Sequence, residues 1–168
     1  TRPKTPKVAL LTGHEGPTFT DRLAKMHAVL SEQYSLMPLN LSQKSEIPDD
    51  VDLLLVAGPT TPLSLTEKQA IDKFIANGKS VAFLIDEFEV DLSSFSHEQT
   101  DPGVADLLAA YGVHIKPGLI GDVECAQFQI QRRVGFLIVP EPVRYPYMPL
   151  VQEYPEDNPI THDLGPVP

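Results

Sequence analysis

A histidine and a glutamate stand side by side between two glycines at Gly13-His14-Glu15-Gly16. Residues of these types, following an apolar run and preceding a helix start, suit anion binding or acid–base work. The spacing is G-x-x-G. It lacks the third glycine of a dinucleotide fingerprint and the lysine of a P-loop, so neither nucleotide chemistry is expected. A tight turn with its polar side chains in water is the plainer reading. A binding role for Gly13, His14 and Glu15 is the stronger functional alternative, ahead of catalysis.

Four further groups contain residue types capable of chemistry. Gly58-Pro59-Thr60-Thr61 follows the most apolar run of the chain. Its threonine hydroxyls suit ligand contact or turn closure, but no activating base is evident, so nucleophilic catalysis is not expected. Asp86, Glu87, Glu89 and Asp91 put four carboxylates in six residues. They match no EF-hand spacing and have no turning glycine, so a solvated acidic loop is the simpler expectation. Asp86 is the best placed of them to face a ligand, because it ends an apolar run. Cys125 is the single cysteine, without a CxxC partner, and is read as a packing thiol. His14, His27, His97, His114 and His162 have no paired metal spacing. The expectation is no metal and no cofactor.

The elements needed to position these residues can be read from pattern. Residues 7–12 (KVALLT), 51–57 (VDLLLVA) and 80–85 (SVAFLI) are short apolar runs, the signature of strands buried on both faces. Residues 35–41 form a weaker strand, and Pro38 suits a sheet edge. A helix is expected after Thr18 as N-cap, with Phe19, Leu23, Met26 and Leu30 on one stripe. Ser64-Leu65-Thr66-Glu67 is a capping box opening a second helix that Gly78 ends. A third helix should begin with Pro102 at its first position and bury Val104, Leu107, Leu108 and Tyr111. Residues 86–100 read as a loop, Val113-His114-Ile115 as a fifth strand, and 128–131 with 135–139 as a hairpin.

Strands alternating with helices predict an α/β fold, a mainly parallel sheet covered on both faces in a flavodoxin-like order of about 2-1-3-4-5. Ligands of such sheets bind beyond the carboxyl ends of the strands. The candidate rim is therefore Gly13, His14, Glu15, Gly58, Thr60 and Asp86.

Of the 168 residues, 42 % are apolar and 21 % charged, ordinary for a globular domain. A net charge of −10, with Arg132-Arg133 as the only adjacent basic pair, argues against nucleic acid as a partner. No apolar run approaches the roughly 20 residues of a membrane span. The chain opens on Thr1 and is expected to be a piece of a longer protein. Eight of the 17 prolines lie in the last 29 residues. An α/β domain over 1–139 is thus expected, followed by an extended proline-rich tail over 140–168 that packs on it or leads to a further domain.

Several segments together resemble GldG-like auxiliary components of ABC-type transport systems. VALLTGHEGP is similar to that family's opening strand and turn. IPDDVDLLLVAGPTTPLSLTEKQAIDKFIANGKSVAFLID is similar to its next stretch, with a "GP…PLS" loop and a strand ending in Asp. VADLLAAYGVHIKPGLIGD, Tyr147-Met148-Pro149-Leu150 and Asn158-Pro159-Ile160-Thr161-His162-Asp163-Leu164 resemble later pieces in the same order. The first turn departs from the family's His-Gly-Glu order. The resemblance implies a three-layer sandwich like that of class I glutamine amidotransferases, without their catalytic cysteine. It also implies an extracytoplasmic (periplasmic) domain of a membrane-anchored inner-membrane protein beside an ABC-2-type permease and its ATPase. The expected role is non-catalytic binding or scaffolding, with a carbohydrate or other small molecule as ligand. Two rivals stay open: a hydrolase or amidotransferase-like enzyme using His14 and Glu15, and an assembly module docking a partner through its tail.

Overall fold

The computed structural model describes residues 5–91, 96–154, 157, 161 and 165. They fall into two compact units, up to Pro117 and from Gly118 onward. The division expected at 139/140 falls inside the last strand of the second unit.

The first unit is built on a four-stranded parallel sheet of β1 (Lys7–Thr12), β2 (Ser35–Asn40), β3 (Leu53–Ala57) and β4 (Ser80–Leu84), in the order β2-β1-β3-β4. The two central strands are the two most apolar runs. Alternation along each strand sends successive side chains to opposite faces. Val8, Leu10, Leu55 and Ala57 therefore point one way, against Phe19 and Leu23 just before α1 (Ala24–Leu30) and Met26 within it. Ala9, Leu11, Leu54 and Val56 point the other way, against Ile71 and Phe74 of α2 (Leu65–Ala76) and Leu107 and Leu108 of α3 (Ala105–Ala110). Helices thus cover both faces. Pro38 sits in β2, at the sheet's edge, where its missing donor costs no ladder bond.

The helix boundaries differ from expectation at two of three starts. The capping box of α2 forms as read: the Glu67 N–H donates to Ser64 Oγ at 3.3 Å and the Ser64 N–H to Glu67 Oε2 at 2.8 Å. Gly78 closes that helix with φ +76°. Thr18 instead caps a turn that precedes α1: its N–H and hydroxyl donate to the Asp21 carboxylate at 2.7 and 2.9 Å. Pro102 likewise precedes α3 by a turn, which Asp101 stabilises by accepting from the Gly103 N–H. Tyr111 lies outside the core, 46 % exposed, and its hydroxyl donates to Asp72 at 2.6 Å.

The strands also depart from expectation in two places. Residues 86–100 contain an antiparallel pair, β5 (Phe88–Asp91) and β6 (Ser96–Gln99). Acidic composition hid the short alternation that builds it. The fifth strand does not form: Val113 and Ile115 are 52 % and 37 % exposed, and among the described residues their segment joins no sheet. Pro117 and Gly118 follow at once, leaving too short a run to pair.

The second unit is a hairpin of β7 (Cys125–Val134) and β8 (Leu137–Pro149), joined through Gly135 at φ +63° and Phe136. The hairpin expected from sequence is present and longer than anticipated, taking in the first prolines of the tail. Both strands of a two-stranded pair are edges, so prolines are tolerated. With a two-residue turn, Val134 and Leu137 form the closing hydrogen-bonded pair. Pro140 and Pro142, opposite Gln131 and Gln129, then fall where the N–H would point away from β7. Cys125 is buried. Pro155, Pro159, Pro166, Pro168 and, apart from Thr161, the Asn158–Leu164 motif lie outside the described residues.

Leu54 is wholly buried at the centre of the sheet. Its replacement by alanine is expected to lower unfolding free energy by about 2–5 kcal/mol, lost contacts and residual cavity together. Urea denaturation of both proteins measures this, and a change below about 1 kcal/mol would contradict the packing described.

Candidate functional site

The rim at the carboxyl ends of β1, β3 and β4 is made by three loops. Gly13 and Gly16 shape the first. Gly13 has φ +104°, a region closed to most side chains, and a Cβ there would meet the Asn40 amide at 3.0 Å. A Cβ on Gly16 would lie 2.8 Å from the Ala57 carbonyl oxygen and 2.9 Å from that of Gly58. Only glycine lets the first loop lie so close to the second.

His14 turns inward and is buried. Its Nε2 lies 3.0 Å from Glu67 Oε1, and Glu67 is buried as well. The other carboxylate oxygen, Oε2, accepts from the Ser64 N–H at 2.8 Å and the Ser64 hydroxyl at 2.7 Å. Burial pushes the Glu67 carboxyl up. The hydrogen bonds from Ser64 and His14 outweigh it and hold the group below its ordinary value. An ionised carboxylate only accepts, so Nε2 carries the proton of the His14–Glu67 bond. The His14 carbonyl accepts in turn from the backbone N–H groups of Thr60 at 3.0 Å and Thr61 at 3.4 Å, and from the Thr60 hydroxyl at 3.4 Å. One residue thus ties the β1 loop to the β3 loop and to the first turn of α2. Glu15, by contrast, is exposed, with φ +57°, unusual for a residue other than glycine.

The other candidates meet elsewhere on the rim. Gly58, Thr60 and Asp86 line a cleft of about 240 Å³, with Arg22, Phe88 and Thr100. Its walls combine apolar surface, from Leu23 and Leu84 among others, with one cation and one carboxylate. Gly58 has φ +47°, and its N–H donates to the Leu84 carbonyl at 2.8 Å, fastening β3 to β4 at the cleft floor. Both threonine hydroxyls are committed to backbone: Thr60 to His14 as above, and Thr100 to the Asp86 carbonyl at 2.7 Å. Gly13, His14 and Glu15 do not line this cleft. The six residues read from sequence therefore divide into a tied turn and a cleft.

Arg22, Phe88 and Thr100 were missed by sequence reasoning. Arg22 lay outside the apolar stripe used to draw the first helix, and the other two lay in a segment read as loop. Glu67 was recognised as a capping residue, with nothing local to reveal its partner 53 positions away. The side chains of Glu89 and Asp91 lie outside the described ones. Among the described residues no three of His, Cys, Asp and Glu cluster as a metal site, and no helix is long and apolar enough to cross a membrane.

A carboxylate held below its ordinary value stabilises the fold fully above its unfolded-state pKa of about 4.3, and that stability fades as pH falls through the folded value. Thermal unfolding of the native protein and Glu67→Gln should therefore differ most near neutral pH and converge as pH falls below the ordinary carboxylate range. A difference independent of pH would contradict the assignment. His14→Ala, which leaves a buried carboxylate short of a donor, should cost about 1–3 kcal/mol at neutral pH by urea denaturation.

Two chemically distinct places therefore share this rim, a histidine spent on internal ties and an open cleft of mixed polarity. No curated protein and no solved structure matches the chain. A family model described as "ABC-type uncharacterized transport system", ABC_transp_aux, matches residues 5–167, and the chain belongs to this family of auxiliary components of ABC-type transport systems.

Proposed function

We propose that this chain is a non-catalytic binding or scaffolding domain of a GldG-like auxiliary subunit, displayed on the extracytoplasmic side of a membrane-anchored protein. Its partners are an ABC-2-type permease and the ATPase that drives it. Family membership supports the transport setting. The sheet order β2-β1-β3-β4, with helices on both faces, supports a core like that of class I glutamine amidotransferases.

The observation that carries the binding reading is the fate of His14. A general base must reach the proton it takes. His14 Nε2 is occupied by Glu67 in a buried bond, and its carbonyl is occupied by the β3 loop. The cleft beside it offers what a binding site uses: apolar walls, a few placed polar groups and charges of both signs. Its size suits a small polar molecule such as a carbohydrate, or a side chain of a partner loop.

The test uses the whole membrane protein, solubilised with its transport system. Asp86→Ala should reduce recovery of the permease, or retention of a small ligand by native mass spectrometry, severalfold, as expected for loss of one polar contact. The fold should survive, because Asp86 is exposed. Unchanged recovery and retention with an unchanged melting temperature would remove the cleft from the account. Hydrolytic turnover by the purified protein that His14→Ala abolishes would replace binding by catalysis.

A further inference from the structure

Every residue of the β7–β8 hairpin from Gln131 to Pro140 is exposed. Five of these are large and apolar: Val134, Phe136, Leu137, Ile138 and Val139, with Phe136 fully open at 101 %. Opposed residues of an antiparallel pair share a face, and successive pairs alternate. Val134↔Leu137 and Arg132↔Val139 therefore lie on one face and Arg133↔Ile138 on the other, with Phe136 at the apex. Scattered apolar side chains on a surface need no explanation, but a contiguous apolar tip does.

The charge around this tip is polarised. In a chain of net charge −10, the stretch from Ala126 to Pro140 contains no Asp or Glu and carries Arg132 and Arg133. Arg132 bridges to Glu141 across the hairpin at 3.1 Å. Arg133 donates from Nε to the Gly135 carbonyl at 3.3 Å, which draws its guanidinium toward the turn, and among the described residues it makes no ion pair. Arginines thus collar a greasy tip.

We propose that the β7–β8 tip is a shallow insertion element for an anionic membrane surface, with Phe136 and its neighbours among the acyl chains and Arg133 at headgroup level. Apolar side chains stand on both faces, Val134, Leu137 and Val139 on one and Ile138 on the other, with Phe136 at the apex, and such a tip needs an occupant that surrounds it. A bilayer does so, whereas one face of a folded partner covers a single side. Arg133 and Arg132 stand one and two residues along β7 from Val134, a rise of about 3 to 7 Å, so with Phe136 at the apex the collar lies within the shallow, roughly 5–10 Å zone of interfacial burial. Deeper entry is barred by the unpaired backbone groups along the hairpin's outer edges. Pro140 and Pro142 remove donors from the outer edge of β8 and so oppose strand-to-strand pairing with a second copy. The tip and the cleft share no residue, and neither reading needs the other.

The test is flotation of the full chain with vesicles of phosphatidylcholine containing about one third phosphatidylglycerol, compared with phosphatidylcholine alone. The chain should float with the anionic vesicles and bind at least roughly fivefold less without anionic lipid or at high salt. Phe136→Asp with Leu137→Asp should abolish flotation, and Arg133→Gln should weaken it roughly fivefold. These positions are exposed, so melting temperatures should be unchanged, and Phe136→Ser serves as the milder variant. Absence of flotation with anionic vesicles, or equal flotation of the doubly substituted chain, would overturn the proposal. So would self-association in sedimentation that Phe136→Asp removes while no vesicle binding is seen, which would assign the tip to a second copy.

Discussion

A buried imidazole–carboxylate bond between His14 and Glu67 governs how the carboxyl end of this sheet is built. Parallel strands leave their loops unconnected to one another, because each crossover leads away through a helix. Something other than the ladder must set the loops in register. Here Glu67 accepts from Ser64 within its own helix turn and from His14 on a neighbouring loop, while His14 accepts through its carbonyl from Thr60 and Thr61. Removing either partner strands a buried polar group, which is costlier than never having had the pair. Gly16 belongs to the same device, since its missing side chain admits the two carbonyls that crowd it.

Much of the fold was legible because its signals are local. The run KVALLT becomes β1 over the residues expected, the Ser64–Glu67 capping box forms as spaced, and Gly78 takes the left-handed conformation that ends α2. What failed was non-local or compositional. Val113-His114-Ile115 has strand residues without a partner, and Phe88–Asp91 gained one in spite of its acids. Thr18 and Pro102 are good punctuation for turns as well as helices, and each marked a turn one step before its helix. At the site, position on the rim followed from topology, and Gly58, Thr60 and Asp86 do share a cleft. The inward rotation of His14 was invisible, since its cause lies in a residue far along the chain.

The two units present different surfaces. In the first, polar groups on the rim are largely satisfied by backbone, and the cleft keeps one charge of each sign beside apolar walls. In the second, a hairpin too thin to have its own core leaves its end uncovered. The acidic balance of the chain sharpens the contrast, because the acid-free segment around Arg132 and Arg133 stands out against it.

The central claim is that His14 is a structural tie whose Nε2 proton belongs to Glu67. Nitrogen-detected NMR of the imidazole at neutral pH tests it most directly. The account predicts a resolved Nε2–H proton protected from exchange with water, present in the native protein and lost in Glu67→Ala. An His14 ring whose nitrogens exchange freely with solvent in the native protein would contradict it, and would return that histidine to the set of groups available for chemistry.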